Sequence, residues 1–256
     1  MNPLSLSGRT AVVIGASSGI GRALAIGLAQ AGADVVATAR RQEQVEAVTH
    51  QISVLGRRTF SQTSDVTDSG SLENLLKRTV GELEKIDILV NAAGITGRVP
   101  TLDLKIDDWN RILDVNLTGT LRACQIFGRH MLGRGYGRII NIASLSTYVA
   151  FHEVAAYGVS KAGVGALTKS LAVEWGKQGV NVNGIAPGVF PTELNQELLN
   201  GTARGQELIA RTPLDRFGKP EELVGACVFL ASESASFVNG EIIGVDGGFL
   251  ASGVNR

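Results

Sequence analysis

Residues 10–21 read Thr10-Ala-Val-Val-Ile14-Gly15-Ala-Ser-Ser-Gly19-Ile-Gly21, and this stretch decides the fold. A β-branched run ends directly in a glycine turn, and residues 20–31 beyond it carry apolar side chains at helical spacing. Strand, tight turn and helix in that order open a βαβ unit. Glycines at such a turn let the backbone approach a pyrophosphate, whose charge then meets the helix N-terminus. Gly15, Ser17, Ser18, Gly19, Ile20 and Gly21 are therefore expected to cradle a dinucleotide.

Outward from this turn the same alternation repeats. Residues 34–38, 87–90, 138–143, 180–186 and 241–245 read as strands, with a weaker one at 57–63. Residues 41–55, 68–84, 107–132, 154–177 and 220–231 read as helices. The strands are apolar on both faces, as parallel strands covered by helices must be. The expectation is a single α/β domain over residues 1–256: a doubly wound (Rossmann) parallel sheet of about seven strands with helices on both faces. No Pro/Gly/Ser linker divides it. The stretch from 189 to 219, with Pro191, Gly201, Gly205 and Pro213 around two short helical pieces, reads as a lid over a cleft.

Composition removes several classes of function. Lys plus Arg equals Asp plus Glu at 24 each, so no global field attracts nucleic acid or anionic lipid. Cys124 and Cys227 sit within helical apolar patterns and read as buried thiols in a reducing compartment. His50, His130 and His152 lie far apart without partners at ligand spacing, so no metal is expected. With no secretory n-region and no apolar run of about 20 residues, the expected address is the cytoplasm.

The end of the second strand, Thr38-Ala39-Arg40-Arg41, carries no carboxylate. An acidic residue there would hold a free ribose 2′-hydroxyl, whereas a guanidinium pairs with a 2′-phosphate. NADP(H) is therefore favoured over NAD(H). Tyr157 and Lys161 are four residues apart in a helical segment and share one face. A nearby ammonium should lower the phenol pKa from about 10, which would fit Tyr157 for general acid/base work. On spacing alone, however, the pair is an ordinary one on a helix surface.

The glycine spacing is G-x-x-x-G-x-G. After it come Asn91-Ala-Ala-Gly94, Asn116, Ser144, Tyr157-x-x-x-Lys161, Pro187-Gly188 and Val245-Asp-Gly-Gly248. In that order they resemble the classical short-chain dehydrogenase/reductase family over essentially the whole chain. Ile14 departs from the Thr more usual before the first glycine. The resemblance implies a ketone–alcohol oxidoreductase with Asn116, Ser144, Tyr157 and Lys161 as its catalytic group. It selects Ser144 over Ser146 and gives Lys161 a second task at the nicotinamide ribose. It also implies cofactor contacts from Asp65, Val66, Asn91, Ala92, Gly94, Pro187, Gly188 and Thr192, and a homotetramer.

The C-terminal third is similar to the branch containing gluconate 5-dehydrogenases, and also to 3-oxoacyl-carrier-protein reductases. The loop after Ser144 lacks an arginine that would favour a sugar acid, which counts against the first branch. A sugar, sugar-acid or polyol substrate ranks first, a 3-oxoacyl thioester second, and a non-catalytic dinucleotide-binding regulator is the remote alternative.

Overall fold

A computed structural model describes residues 3–193, 195–199 and 201–255. The strands are β1 (Thr10–Ile14), β2 (Asp34–Thr38), β3 (Ile88–Asn91), β4 (Gly137–Ile142), β5 (Val180–Pro187) and β6 (Ile242–Val245). All pair in parallel, in the order β2-β1-β3-β4-β5-β6. The helices are α1 (Gly19–Gln30), α2 (Gln42–Val54), α3 (Ser69–Leu83), α4 (Ile106–Leu113), α5 (Gly119–Arg134), α6 (Ala155–Trp175), α7 (Gln196–Leu199), α8 (Ala203–Ala210) and α9 (Val224–Ala231).

The two-residue period of β1 sorts its side chains between two cores. Ala11 and Val13 pack with Leu24 and Leu28 of α1, Ile52 of α2 and Cys227 and Leu230 of α9. Val12 and Ile14 pack with Leu75 of α3, Phe127 and Met131 of α5 and Trp175 of α6. Every β1 side chain is buried, so a polar replacement on either face would strand an unpaired group in a core.

Residues 57–63 do not form the expected seventh strand; among the described residues the sheet has six. They run beside β2, but backbone pairing occurs only near the ends: Val35 N–H to Arg58 O at 3.1 Å and Ser64 N–H to Ala39 O at 3.0 Å. Side chains supply the other contacts. Asp34 Oδ1 accepts from Arg58 N at 2.9 Å, and Thr38 Oγ1 donates to Gln62 O at 2.6 Å.

The helix expected over 107–132 is also interrupted. A π-helical turn, Asp114–Thr118, joins α4 to α5, and Thr120 Oγ1 donates to Asn116 O inside it at 2.7 Å. Such one-turn bulges re-aim a side chain without ending the helix; here the side chain is that of Asn116.

In 189–219, Leu194 and Asn200 lie outside the described residues. Leu199 and Leu208, from α7 and α8, pack with Leu145 and Phe249. The segment therefore rests on the loop after β4 and on the C-terminal turn. Among the described residues no helix is long and apolar enough to cross a membrane.

Register brings the C-terminal ends of the strands level. Ile14 pairs with both Thr38 and Asn91, Asn91 with Asn141, and Ile142 with Ile185. The chain leaves β1 toward β2 on one side and reaches β3 on the other. That reversal opens the crevice in which open α/β sheets bind ligands.

Candidate active site

The loops after β1, β2, β3, β4 and β5 enclose a cleft of about 510 Å³. Its floor is the glycine loop. Gly15 has φ +85°, and a Cβ placed there would lie 2.4 Å from Ala93 N. One at Gly21 would lie 2.2 Å from Gly15 O. Only bare backbone fits this turn. Ser18 stands at the N-cap of α1, yet its side chain caps no amide of the helix. The first-turn N–H groups thus remain open to an anion at the positive end of the helix dipole. A loop with bare backbone enforced at Gly15 and Gly21 and an uncapped helix start fit the phosphates of a dinucleotide.

At one end of the cleft stand Arg40, Arg41, Asp65 and Val66. Burial alone would raise the Asp65 pKa. The amide and hydroxyl of Thr67, both donating to its Oδ1, and the charges of Arg40 and Arg122 outweigh that and hold it below the usual carboxylate value. Arg41 reaches back over the glycine loop, donating through Nη2 to Ser17 Oγ (3.0 Å) and Ser18 Oγ (2.7 Å). No carboxylate ends β2, as the sequence indicates.

At the other end Ser144, Tyr157 and Lys161 line the cleft together. Ser144 follows β4 and caps a 3-10 turn, its Oγ accepting from Ser146 N at 3.1 Å. Tyr157 and Lys161 lie on the first two turns of α6. Lys161 is only 5% exposed. Its Nζ donates to Ile142 O at 2.7 Å and lies 5.9 Å from the centre of the Tyr157 ring. Burial without an acidic partner pulls its pKa from 10.5 down to about 8.

The expected lowering of the Tyr157 pKa is reversed. Burial pushes the phenol up, and a hydrogen bond with Ser144 only partly offsets this. The Lys161 ammonium is bonded to a backbone carbonyl, and no hydrogen bond joins it to the phenol. Tyr157 is thus a protonated acid through neutral pH.

Asn116 is fully buried beside this group. Its Oδ1 accepts from Ile95 N at 2.8 Å, and its Nδ2 donates to Ile95 O at 2.9 Å and Ser160 Oγ at 3.0 Å. It ties the loop after β3 to α6. A Cβ on Gly94 would lie 3.4 Å from Asn116 Oδ1 and 3.6 Å from Lys161 Nζ, which sets how near that loop comes to the lysine.

Ala92 and Gly94 line the cleft, as do Pro187, Gly188 and Thr192. Asn91 does not. Its Nδ2 donates to Asn141 Oδ1 at 2.9 Å and Cys124 Sγ at 3.4 Å inside the core, so it shapes the cleft from behind. Burial pushes the Cys124 and Cys227 thiols up to about 12, which keeps both protonated.

In the loop after β4, Thr147 and Tyr148 are held by backbone carbonyls, donating to Lys161 O and Ile242 O. Phe151 stacks near Phe249, ring centres 5.9 Å apart. Two arginines from outside this loop reach it. Arg98 pairs with Glu153 at 2.7 Å, and Arg204 of α8 donates to His152 O at 3.4 Å. Glu153 adopts a left-handed φ of +65° in doing so. A positive φ on a non-glycine residue is uncommon and gathers at functional sites.

Comparison with known proteins assigns this arrangement. A protein-family model described as enoyl-(acyl carrier protein) reductase matches residues 15–250. The chain belongs to the short-chain dehydrogenase/reductase family. Among relatives in this family, gluconate 5-dehydrogenase of Gluconobacter oxydans is 40% identical over 248 residues, covering 97% of each chain. The 2-dehydro-3-deoxy-D-gluconate 5-dehydrogenase of Escherichia coli is 40% identical over 98% of this chain and 99% of its own. A crystal structure of gluconate 5-dehydrogenase from Burkholderia cenocepacia, in complex with NADP and tartrate, superposes with a TM-score of 0.93. It is 38% identical and is covered over 98% of both chains. The protein is an NAD(P)-dependent oxidoreductase acting on CH–OH groups, as its motif order implies.

Proposed function

We propose that this dehydrogenase prefers NADP(H) and interconverts a sugar-acid ketone with its secondary alcohol, using Tyr157 as general acid and base. The observation that carries the reading is the meeting of Ser144, Tyr157 and Lys161 at the end of β4, across one cleft from the glycine loop.

A bound nicotinamide supplies or accepts the hydride. The protein supplies the rest. The phenol of Tyr157 gives a proton to the carbonyl oxygen in reduction and recovers it in oxidation. The Ser144 hydroxyl, which lines the same cleft as Tyr157, donates to the same oxygen as charge develops there. Lys161, fixed by Ile142 O, holds the nicotinamide ribose. Asn116 positions the 91–95 loop beside it. Gly15, Ser17, Ser18, Gly19, Ile20 and Gly21 cradle the pyrophosphate, with Ala92, Gly94, Pro187, Gly188 and Thr192 shaping the nicotinamide end. Asp65 and Val66 serve the adenine, and Arg40 and Arg41 the 2′-phosphate. Because burial keeps the Tyr157 phenol protonated, reduction proceeds at neutral pH and oxidation gains as pH rises.

The relatives' names, gluconate and 2-dehydro-3-deoxy-D-gluconate 5-dehydrogenases, favour an acidic sugar over an acyl thioester. The segment 189–219 acts as the lid, and the protein works as a cytoplasmic homotetramer. Absorbance of the reduced nicotinamide, followed over a panel of sugar acids, polyols and 3-oxoacyl thioesters with both cofactors, tests the assignment. The expected result is the highest kcat/KM with a sugar-acid ketone and NADPH. A higher kcat/KM with NADH would overturn the cofactor preference, and a thioester ranking first would overturn the substrate class.

Gly15→Ala tests the cradle. The added methyl meets Ala93 backbone at 2.4 Å, in a conformation that costs a non-glycine residue about 1–3 kcal/mol. NADPH fluorescence titration should show binding weakened beyond about 100-fold, as an anion site loses its backbone fit. Unchanged affinity would rule out the loop as the cradle.

A further inference from the structure

Arg41 does more than stand at the edge of the cleft. While its Nη2 is held by Ser17 and Ser18, its Nη1 donates to Glu193 Oε2 at 3.2 Å. Arg41 and Glu193 come from opposite walls: the start of α2 and the chain beyond β5. All four residues line the cleft.

Glu193 is aimed there by its own turn. Asn195 Oδ1 accepts from Thr192 N at 2.8 Å, and Asn195 Nδ2 donates to Phe190 O at 3.1 Å. Thr192 in turn abuts the glycine loop, where a Cβ on Gly19 would lie 3.0 Å from its Cγ2. The carboxylate is thereby held over the cleft mouth, against the guanidinium best placed for an anion.

We propose that Glu193 is a cofactor-discriminating residue: its carboxylate competes intramolecularly with the 2′-phosphate of the adenine ribose for Arg41. The inference rests on the NADP(H) reading above. A phosphate carries more charge than a carboxylate and accepts from a guanidinium bidentately. It therefore displaces Glu193, and NADP(H) binds against that competition. A dinucleotide lacking the phosphate leaves the Arg41–Glu193 pair in place. The pair is exposed, with side chains 47% and 66% accessible. Its effect is accordingly a few-fold tuning of selectivity, screened by salt.

The test uses the full chain at low ionic strength and two probes without nicotinamide, 2′-phospho-ADP-ribose and ADP-ribose, titrated calorimetrically. Glu193→Gln should tighten 2′-phospho-ADP-ribose by about three- to ten-fold and leave ADP-ribose within about two-fold. In an Arg41→Met background the same substitution should do nothing. Three results overturn the proposal: unchanged 2′-phospho-ADP-ribose affinity, weakened affinity, or equal tightening of both probes, which would place Arg41 on the pyrophosphate. Arg41→Met separates the two levels. If it weakens 2′-phospho-ADP-ribose while Glu193→Gln is silent, only this inference falls. If Arg41→Met itself is silent, the part of Arg41 in NADP(H) preference falls with it.

Discussion

Tyr157→Phe should reduce turnover by about 10²–10⁴-fold while NADPH binds within about two-fold of the unmodified protein. The substitution removes one oxygen and keeps the ring that fills the space between Ser144 and Lys161. Losing one hydroxyl contact costs folding about 1 kcal/mol. The protein therefore stays folded, and the loss falls on the proton transfer. Nucleotide affinity by fluorescence and kcat by absorbance, on the same preparation, separate the two. A variant retaining most of its turnover would remove Tyr157 from the chemistry.

Lys161→Met should push activity and stability in opposite directions. The lysine is buried, pairs with no carboxylate among the described residues, and has its pKa drawn from 10.5 to about 8. That depression corresponds to about 3 kcal/mol of unfavourable burial of the charged form. Methionine fills similar space without the charge and forfeits the bond to Ile142 O, worth about 1 kcal/mol. A net gain of about 2 kcal/mol raises the melting temperature at pH 7 by about 5 °C, while turnover is lost and cofactor affinity falls.

The pH dependence carries the same sign. Below pH 8 the lysine is charged in both folded and unfolded chains, and the full cost applies. Between pH 8 and 10.5 the folded chain has released the proton and the unfolded chain has not, so the wild-type protein gains stability as pH rises. Lys161→Met should lack that gain. Thermal melts from pH 7 to 10.5 measure it, and parallel curves for the two proteins would contradict the assignment.

What was legible in the sequence was local or strictly ordered. The Gly15–Gly21 turn announces itself because a β-branched run, three glycines and a helical period are contiguous. Tyr157 and Lys161 become meaningful through the succession of Asn116, Ser144 and Pro187–Gly188. The structure brings Ser144, Tyr157 and Lys161 to one cleft because strand register levels the ends of β4 and β5 with β1, while Asn116 stays buried behind the cleft lining.

What was not legible depends on partners far along the chain. Residues 57–63 have strand-like composition, but Asp34 and Thr38 side chains replace the ladder. The π turn at Asp114–Thr118 leaves the apolar period of 107–132 intact. Asn91 reads as a cleft residue by position, yet Asn141 and Cys124 draw it inward. The pKa direction of Tyr157 is set by its burial, which spacing does not encode. Arg98–Glu153 and Arg41–Glu193 join residues with no periodic relation to one another, so no pattern reveals them.

The central claim is that Tyr157 delivers the proton as hydride passes to a carbonyl carbon in this cleft. The measurement that tests it most directly follows deuterium from NADPH carrying two deuteriums at C4 into the alcohol formed from a sugar-acid ketone. The wild-type protein should place deuterium on the carbinol carbon, and Tyr157→Phe, with its cofactor site intact, should place almost none over the same interval. Alcohol formed without deuterium at that carbon, or equal labelling by the two proteins, would contradict the account.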